Sequence, residues 1–190
     1  MAQPISGHFS DAPAADQRTT EVSATSLAII GLTTILLSLH YAGFSVGVTA
    51  LGMGLLYGAL AQIAAGLLAW KRLHAFGAVL GIAFGLFWLS LIAMVVLPET
   101  GFGRAPQPSA LSCYLAFWGL FTSILFTGAS RLGRELQIFL AMFSIFLLLL
   151  AAGAAAESHL INALAGGEGI ACGLMGVYAG IVRLRNESTN

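Results

Sequence analysis

Aspartate is nearly missing from this sequence: Asp11 and Asp16 are the only two, and both lie close to the N-terminus. Charged residues of all kinds make up 8% of the chain, against roughly 25% in a soluble domain. An enzyme or pump embedded in a bilayer keeps carboxylates, a Ser/His pair or a metal cluster inside its spans, because buried ionisable groups are costly and are retained for function. No such set is present. The histidines, His8, His40, His74 and His159, are scattered, and Cys113 and Cys172 fall in separate hydrophobic stretches with no CxxC or metal-ligand spacing. A phosphate-binding Gly-Lys-Ser/Thr loop is also missing, which argues against ATP-driven transport by this chain alone. Neither a catalytic residue, a cofactor, a metal nor a nucleic-acid partner is expected from a chain with a formal net charge of +0.

What the chain has in abundance is uninterrupted hydrophobic sequence. Residues 27 to 70 contain no Asp, Glu, Lys or Arg, and three more uncharged runs follow at 73 to 98, 105 to 130 and 136 to 156. A bilayer core of about 30 Å needs about 20 apolar helical residues to cross it, so each later run spans once and the first spans twice. With 58% hydrophobic residues, this predicts an all-α integral membrane protein set in a lipid bilayer. Residues 1 to 25, rich in Ala, Ser, Thr, Gln and Asp, read as a disordered polar tail lacking the basic start and short apolar core of a cleavable signal.

Six transmembrane helices are expected over 26–183. The small residues from Gly43 to Gly47 divide the longest run into helices near 26 to 44 and 48 to 70. Lys71, Arg72 and His74 close the second, and Pro98 ends a third near 75 to 97. Helices near 110 to 129, 136 to 156 and 160 to 182 follow, with a short tail over 184–190. Six spans put Arg18, Lys71, Arg72, Arg131, Arg134, Arg183 and Arg185 on one side and Arg104 alone on the other. Because cytoplasmic loops are rich in Lys and Arg, both termini are expected in the cytoplasm, with the chain in the inner membrane.

Glycines recur at four-residue spacing in Gly43/Gly47, Gly54/Gly58, Gly77/Gly81/Gly85, Gly169/Gly173 and Gly176/Gly180. In lipid such small-residue faces mark where helices touch. The remaining polarity is sparse and uncharged. Thr33, Thr34, Ser38, His40, Tyr57 and Gln62 form a candidate pathway wall, suited to guiding a small polar or anionic solute without holding it tightly. For any single Ser or Thr, an interhelical or own-backbone hydrogen bond is the competing explanation. Glu168, one turn before Cys172, lies either near the headgroups or in a polar cavity.

The stretch from Thr33 to His40 resembles the first-helix signature of the acetate uptake transporter family, which includes the succinate-acetate permeases. Tyr57 to Leu68, Phe87-Trp88-Leu89 with Pro98, Trp118 to Thr122, Leu136 to Phe139 and Gly169 to Tyr178 continue the likeness in order, over about 21 to 183. The resemblance implies a six-helix subunit, a ring-shaped homohexamer, and a passage in each subunit for acetate and, in some members, succinate. It also implies an apolar neck from the first, third and fifth helices, at Ile30, Phe84 and Phe143 here. A neck of this kind strips water from the solute, and a bare carboxylate faces a far larger desolvation cost than the neutral acid, so protonation or brief wetting is expected to accompany passage, through a carrier coupled to protons or a channel.

The family's Asn-Pro-Ala-Pro-Leu-Gly-Leu entrance motif falls on Glu21 to Leu27 and is mostly lost. Ala69 replaces an acidic residue, and Gly167 and Glu168 replace a Trp and an aliphatic. These departures touch the mouth more than the neck. The competing function is a non-transporting structural or sensory membrane subunit whose small-residue faces recruit partners.

Overall fold

The computed structural model describes residues 23–188, with side chains through 185. Among them six helices are long and apolar enough to cross a membrane. Most of the tail expected over 1–25 lies outside the described residues. The first helix, α1 (Ala24–Tyr41), begins where the Ser23 hydroxyl accepts the Ser26 N–H at 3.1 Å, satisfying one of the unpaired donors at the helix start. Helix α2 spans Val48–Lys71, and Leu73, at φ 61°, makes the turn into the next helix.

Helix α3 covers Ala75–Glu99 and widens into a π turn over Ile92–Val96. The cause is Pro98, which has no N–H to give and whose ring would collide with the carbonyl four residues back. The Leu97 N–H reaches Ile92 O instead, and the helix passes through the proline. Pro108 opens α4 (Pro108–Gly128), where its missing donor costs nothing. After a 3-10 turn and Gly133, α5 (Arg134–Ala155) begins with Glu135 in its first turn, favourable against the helix dipole. Helix α6 (His159–Ser188) has 30 residues, about 45 Å at 1.5 Å per residue, so most of the short tail expected over 184–190 is helical.

The helices pack in chain order around a common axis: α1 against α2, α2 against α3, α4 against α5, α5 against α6, and α6 back against α1. Glycines make these approaches close. A Cβ on Gly81 of α3 would lie 2.6 Å from the Cα of Gly66 in α2, and one on Gly31 of α1 would lie 2.5 Å from the carbonyl oxygen of Gly173 in α6. Gly43 and Gly47 are different. They sit between helices with nothing near a would-be Cβ, and Gly43 has φ +92°, so this pair forms a turn rather than a packing face. Between α3 and its neighbours α4 and α5, aromatic side chains fill the space and complete the bundle.

Candidate transport pathway

The inward stripe of α1 is Ser26, Ile30, Thr34 and Ser38, four residues apart and all buried. At 1.5 Å per residue, this stripe runs about 18 Å along the bundle axis. Ile30 is its apolar member, and hydroxyls lie on both sides of it.

Phe84 on α3 and Phe143 on α5 face the same interior, and with Ile30 they belong to one hydrophobic cluster and are 0% exposed. The Phe84 and Phe143 rings meet edge to face with centroids 5.1 Å apart, a favoured aromatic arrangement. Phe143 is also ringed by Phe139 at 5.7 Å, Phe146 at 6.0 Å, Trp88 at 6.2 Å and Phe87 at 6.3 Å. From α4, Trp118 and Phe121 back Phe84 at 6.3 and 6.4 Å. The axis is therefore closed by a layer of aromatic rings from three helices.

Toward the end of the bundle that carries Lys71 and Arg72, the Ser26 hydroxyl donates to Gln62 Oε1 at 2.8 Å and Gln62 Nε2 donates to the Ser26 carbonyl at 2.7 Å. This paired contact ties α1 to α2 in a fully buried setting and leaves one amide proton of Gln62 unused. On the other side of the aromatic layer, the Thr34 hydroxyl donates to Ile30 O at 2.7 Å, which leaves its oxygen free to accept. Ser38 Oγ, Trp88 Nε1 and Glu168 Oε2 are buried without a hydrogen-bond partner among the described residues. Buried polar atoms are almost always paired, so three orphans on α1, α3 and α6 mark places that a polar solute or water can serve. Glu168 is half-buried, ten residues into α6 and next to Gly169, whose Cβ would collide with Ser38 Oγ. It sits within the span rather than at its end. No group of three His, Cys, Asp or Glu side chains among the described residues could hold a metal ion.

Residues 7–190 match the GPR1/FUN34/yaaH family. The chain belongs to that family. An uncharacterized protein of Methanothermobacter thermautotrophicus is 36% identical over 179 residues, covering 90% of this chain and 88% of its own. The succinate-acetate/proton symporter SatP of Escherichia coli K12 is 39% identical over 158 residues, 83% of this chain and 84% of the symporter. The solved structure of the bacterial acetate channel SatP superposes with a TM-score of 0.81 at 37% identity, covering 87% of this chain and 92% of that one. Those two SatP matches are to transport proteins, not enzymes, and this member of the GPR1/FUN34/yaaH family is likewise a multi-pass membrane protein of six helices.

The six residues expected to form the wall do not all share one space. Thr34, Ser38 and Gln62 are buried inside the bundle. Thr33 is buried in the α1–α2 seam, where its hydroxyl donates to the carbonyls of Ile29 and Ile30 and its methyl meets Gly58. His40 is half-buried near the end of α1, edge-on to Tyr41 at 5.5 Å. Tyr57 is 63% exposed and lies on the outer face beside Leu32 and Leu36. The buried stripe of α2 is Leu51, Leu55, Ala59, Gln62, Gly66 and Ala69, and Tyr57 falls on its back.

Trp88, Phe87, Phe139 and Phe146 complete the aromatic layer, and sequence reasoning did not single them out as parts of the neck. Their signal is present as helical spacing: 84, 87, 88 on α3 and 139, 143, 146 on α5 put each set on one face.

Proposed function

We propose that this protein carries acetate or a similarly small carboxylate, succinate among them, through the axis of each protomer in symport with protons. The chain works in the inner membrane as a homohexamer with both termini cytoplasmic. Ile30, Phe84 and Phe143 are the gate, and Thr34, Ser38 and Gln62 form the wall on its two sides. The observation that carries this reading is a bundle closed by an apolar layer at one level and lined by uncharged donors and acceptors above and below it, in a chain 39% identical to a succinate-acetate/proton symporter.

The physics of the neck supports proton involvement. An ionised carboxylate forced between phenyl rings loses its water and gains no counter-charge, at a cost of many kcal/mol, whereas the neutral acid gives up far less. Rings have to part for either species, so the closed layer is one state of a gate. The excess of Lys and Arg at one end supports cytoplasmic termini.

The test is entry of labelled acetate, propionate and succinate into liposomes containing the purified protein. We expect protein-dependent uptake that rises as the outer solution is made more acidic than the lumen. Uptake of all three acids no faster than into protein-free liposomes overturns the proposal.

A further inference from the structure

A groove runs along the outer face of the α1–α2 seam, away from the axial gate. Its wider end, of about 510 Å³, has a floor of alanines that includes Ala61, Ala64 and Ala65, and a rim formed by Ser23, Thr25, Arg72 and His74. Its narrower end, of about 330 Å³, runs between Leu32 and Leu36 of α1 and Gly54, Tyr57 and Gly58 of α2. Ile29 and Ala61 line both parts, so the two form one continuous channel open to the side.

The two ends differ in chemistry. Among the described residues no Asp or Glu lines either part. At the wide end, Arg72 and His74 stand beside the start of α1, where the first backbone N–H groups point outward with the positive end of the helix dipole. The His74 side chain makes no capping bond of its own. At the narrow end the lining is almost wholly apolar. From Ser23 to Leu36 the groove follows 13 residues of α1, about 20 Å, which is about half the thickness of a bilayer with its headgroups.

We propose that this groove binds one anionic phospholipid from the leaflet on the Arg72 side. Its phosphate rests on Arg72, His74 and the α1 N-terminus, and one acyl chain lies along Ile29, Leu32 and Leu36. A free phosphate would use only the wide end and leave the apolar run facing nothing. A lipid uses the whole length.

The test uses the full chain, purified in detergent and offered dioleoyl phosphatidylglycerol or dioleoyl phosphatidylcholine, with retained lipid counted by native mass spectrometry. We expect phosphatidylglycerol to be retained several-fold more than phosphatidylcholine. Arg72→Gln should lower that preference about fivefold, the factor equal to about 1 kcal/mol for one basic residue at an anionic surface. Ala61→Trp, which plugs the groove where its two parts join, should lower retention of both lipids. Equal retention of the two lipids by the unaltered protein, or an unchanged preference in Arg72→Gln, overturns the proposal. Displacement of the phosphatidylglycerol by millimolar inorganic phosphate would assign the site to a free anion and overturn it too. Dissociation of the oligomer by Ala61→Trp with lipid retention unchanged would assign the groove to a second copy of the chain, again overturning it. Arg72 is exposed at the end of α2, so its variant folds and keeps the test decisive even where the tryptophan variant does not.

Discussion

Phe84 of α3 meets Phe143 of α5 edge to face, with ring centroids 5.1 Å apart and planes at 88°. Two helices that are not sequence neighbours are thereby joined across the bundle interior by a contact with no polar atom in it. A hydrogen bond there would hold the helices in one register. A ring edge on a ring face is directional and worth only about 1 kcal/mol beyond burial, weak enough to open and re-form. Tight glycine contacts, by contrast, lie on the α1–α2, α2–α3 and α1–α6 seams, and also between α4 and α5 at Gly119 and between α5 and α6 at Gly153, Gly169 and Gly176.

Replacing Phe143 with Ala removes the ring that touches Phe84, Phe87, Trp88, Phe139 and Phe146 at once. We expect a loss of stability of about 3 kcal/mol from the cavity left behind. We also expect faster acid entry with a broader range of acids, measured as liposome uptake across a panel of chain lengths. Phe143→Leu keeps most of the volume and should retain the native selectivity. An unchanged panel for Phe143→Ala removes this residue from the gate.

The Ser26–Gln62 pair predicts a coupling between two helices. Gln62→Leu loses both bonds, leaving the Ser26 hydroxyl unpaired in a buried site, and should cost about 1–2 kcal/mol of thermal stability. Ser26→Ala loses one bond and should cost less. In the double variant the losses should be smaller than their sum, because the second change removes a group already without its partner. Strict additivity in a thermal-unfolding cycle would show that the two side chains act separately.

The spans were legible in the sequence because charge marks their ends: Lys71, Arg72 and His74, then Arg131 to Glu135, lie where helices stop or start. The π turn in α3 was not, since Pro98 reads as a terminator, whereas the Leu97 N–H to Ile92 O bond carries the helix past it to Glu99. The gate positions came from family resemblance, while the surrounding rings stood at helical spacing and needed only the face to be identified. Tyr57 shows why the wall was harder to read. A polar residue in a span reads as facing inward, yet a tyrosine side chain is amphipathic and can lie on an outer face. The stripe from Leu51 through Gln62 to Ala69 places it two residues off the buried side.

Tyr57→Ala consequently should leave uptake per folded protomer within about twofold of the native rate, since the side chain is on the outer face. Uptake rates normalised to protein content check this. A severalfold fall in flux with the protein still folded would return Tyr57 to the pathway.

Gly81→Ala should be among the most damaging single-methyl additions, because the new Cβ would sit 2.6 Å from the backbone of Gly66 and no side chain can swing aside. Separating α2 from α3 should cost about 1–3 kcal/mol and lower the yield of folded protein. Gly47→Ala, with open space around its Cβ and no positive φ, is the matched control and should be silent in the same thermal assay.

Ser38→Ala separates stability from transport. The Ser38 hydroxyl is fully buried and finds no partner among the described residues, so deleting it removes a desolvation penalty and breaks no bond. Thermal stability should stay level or rise by up to about 1 kcal/mol. Ser38 also lies two turns beyond Ile30 on the inward stripe of α1, where a hydroxyl can donate to a carboxyl group leaving or approaching the gate. Losing one such bond of about 1 kcal/mol should reduce flux about fivefold. A structural hydroxyl would show the opposite pattern, with lower stability and unchanged flux, and that result would take Ser38 out of the pathway.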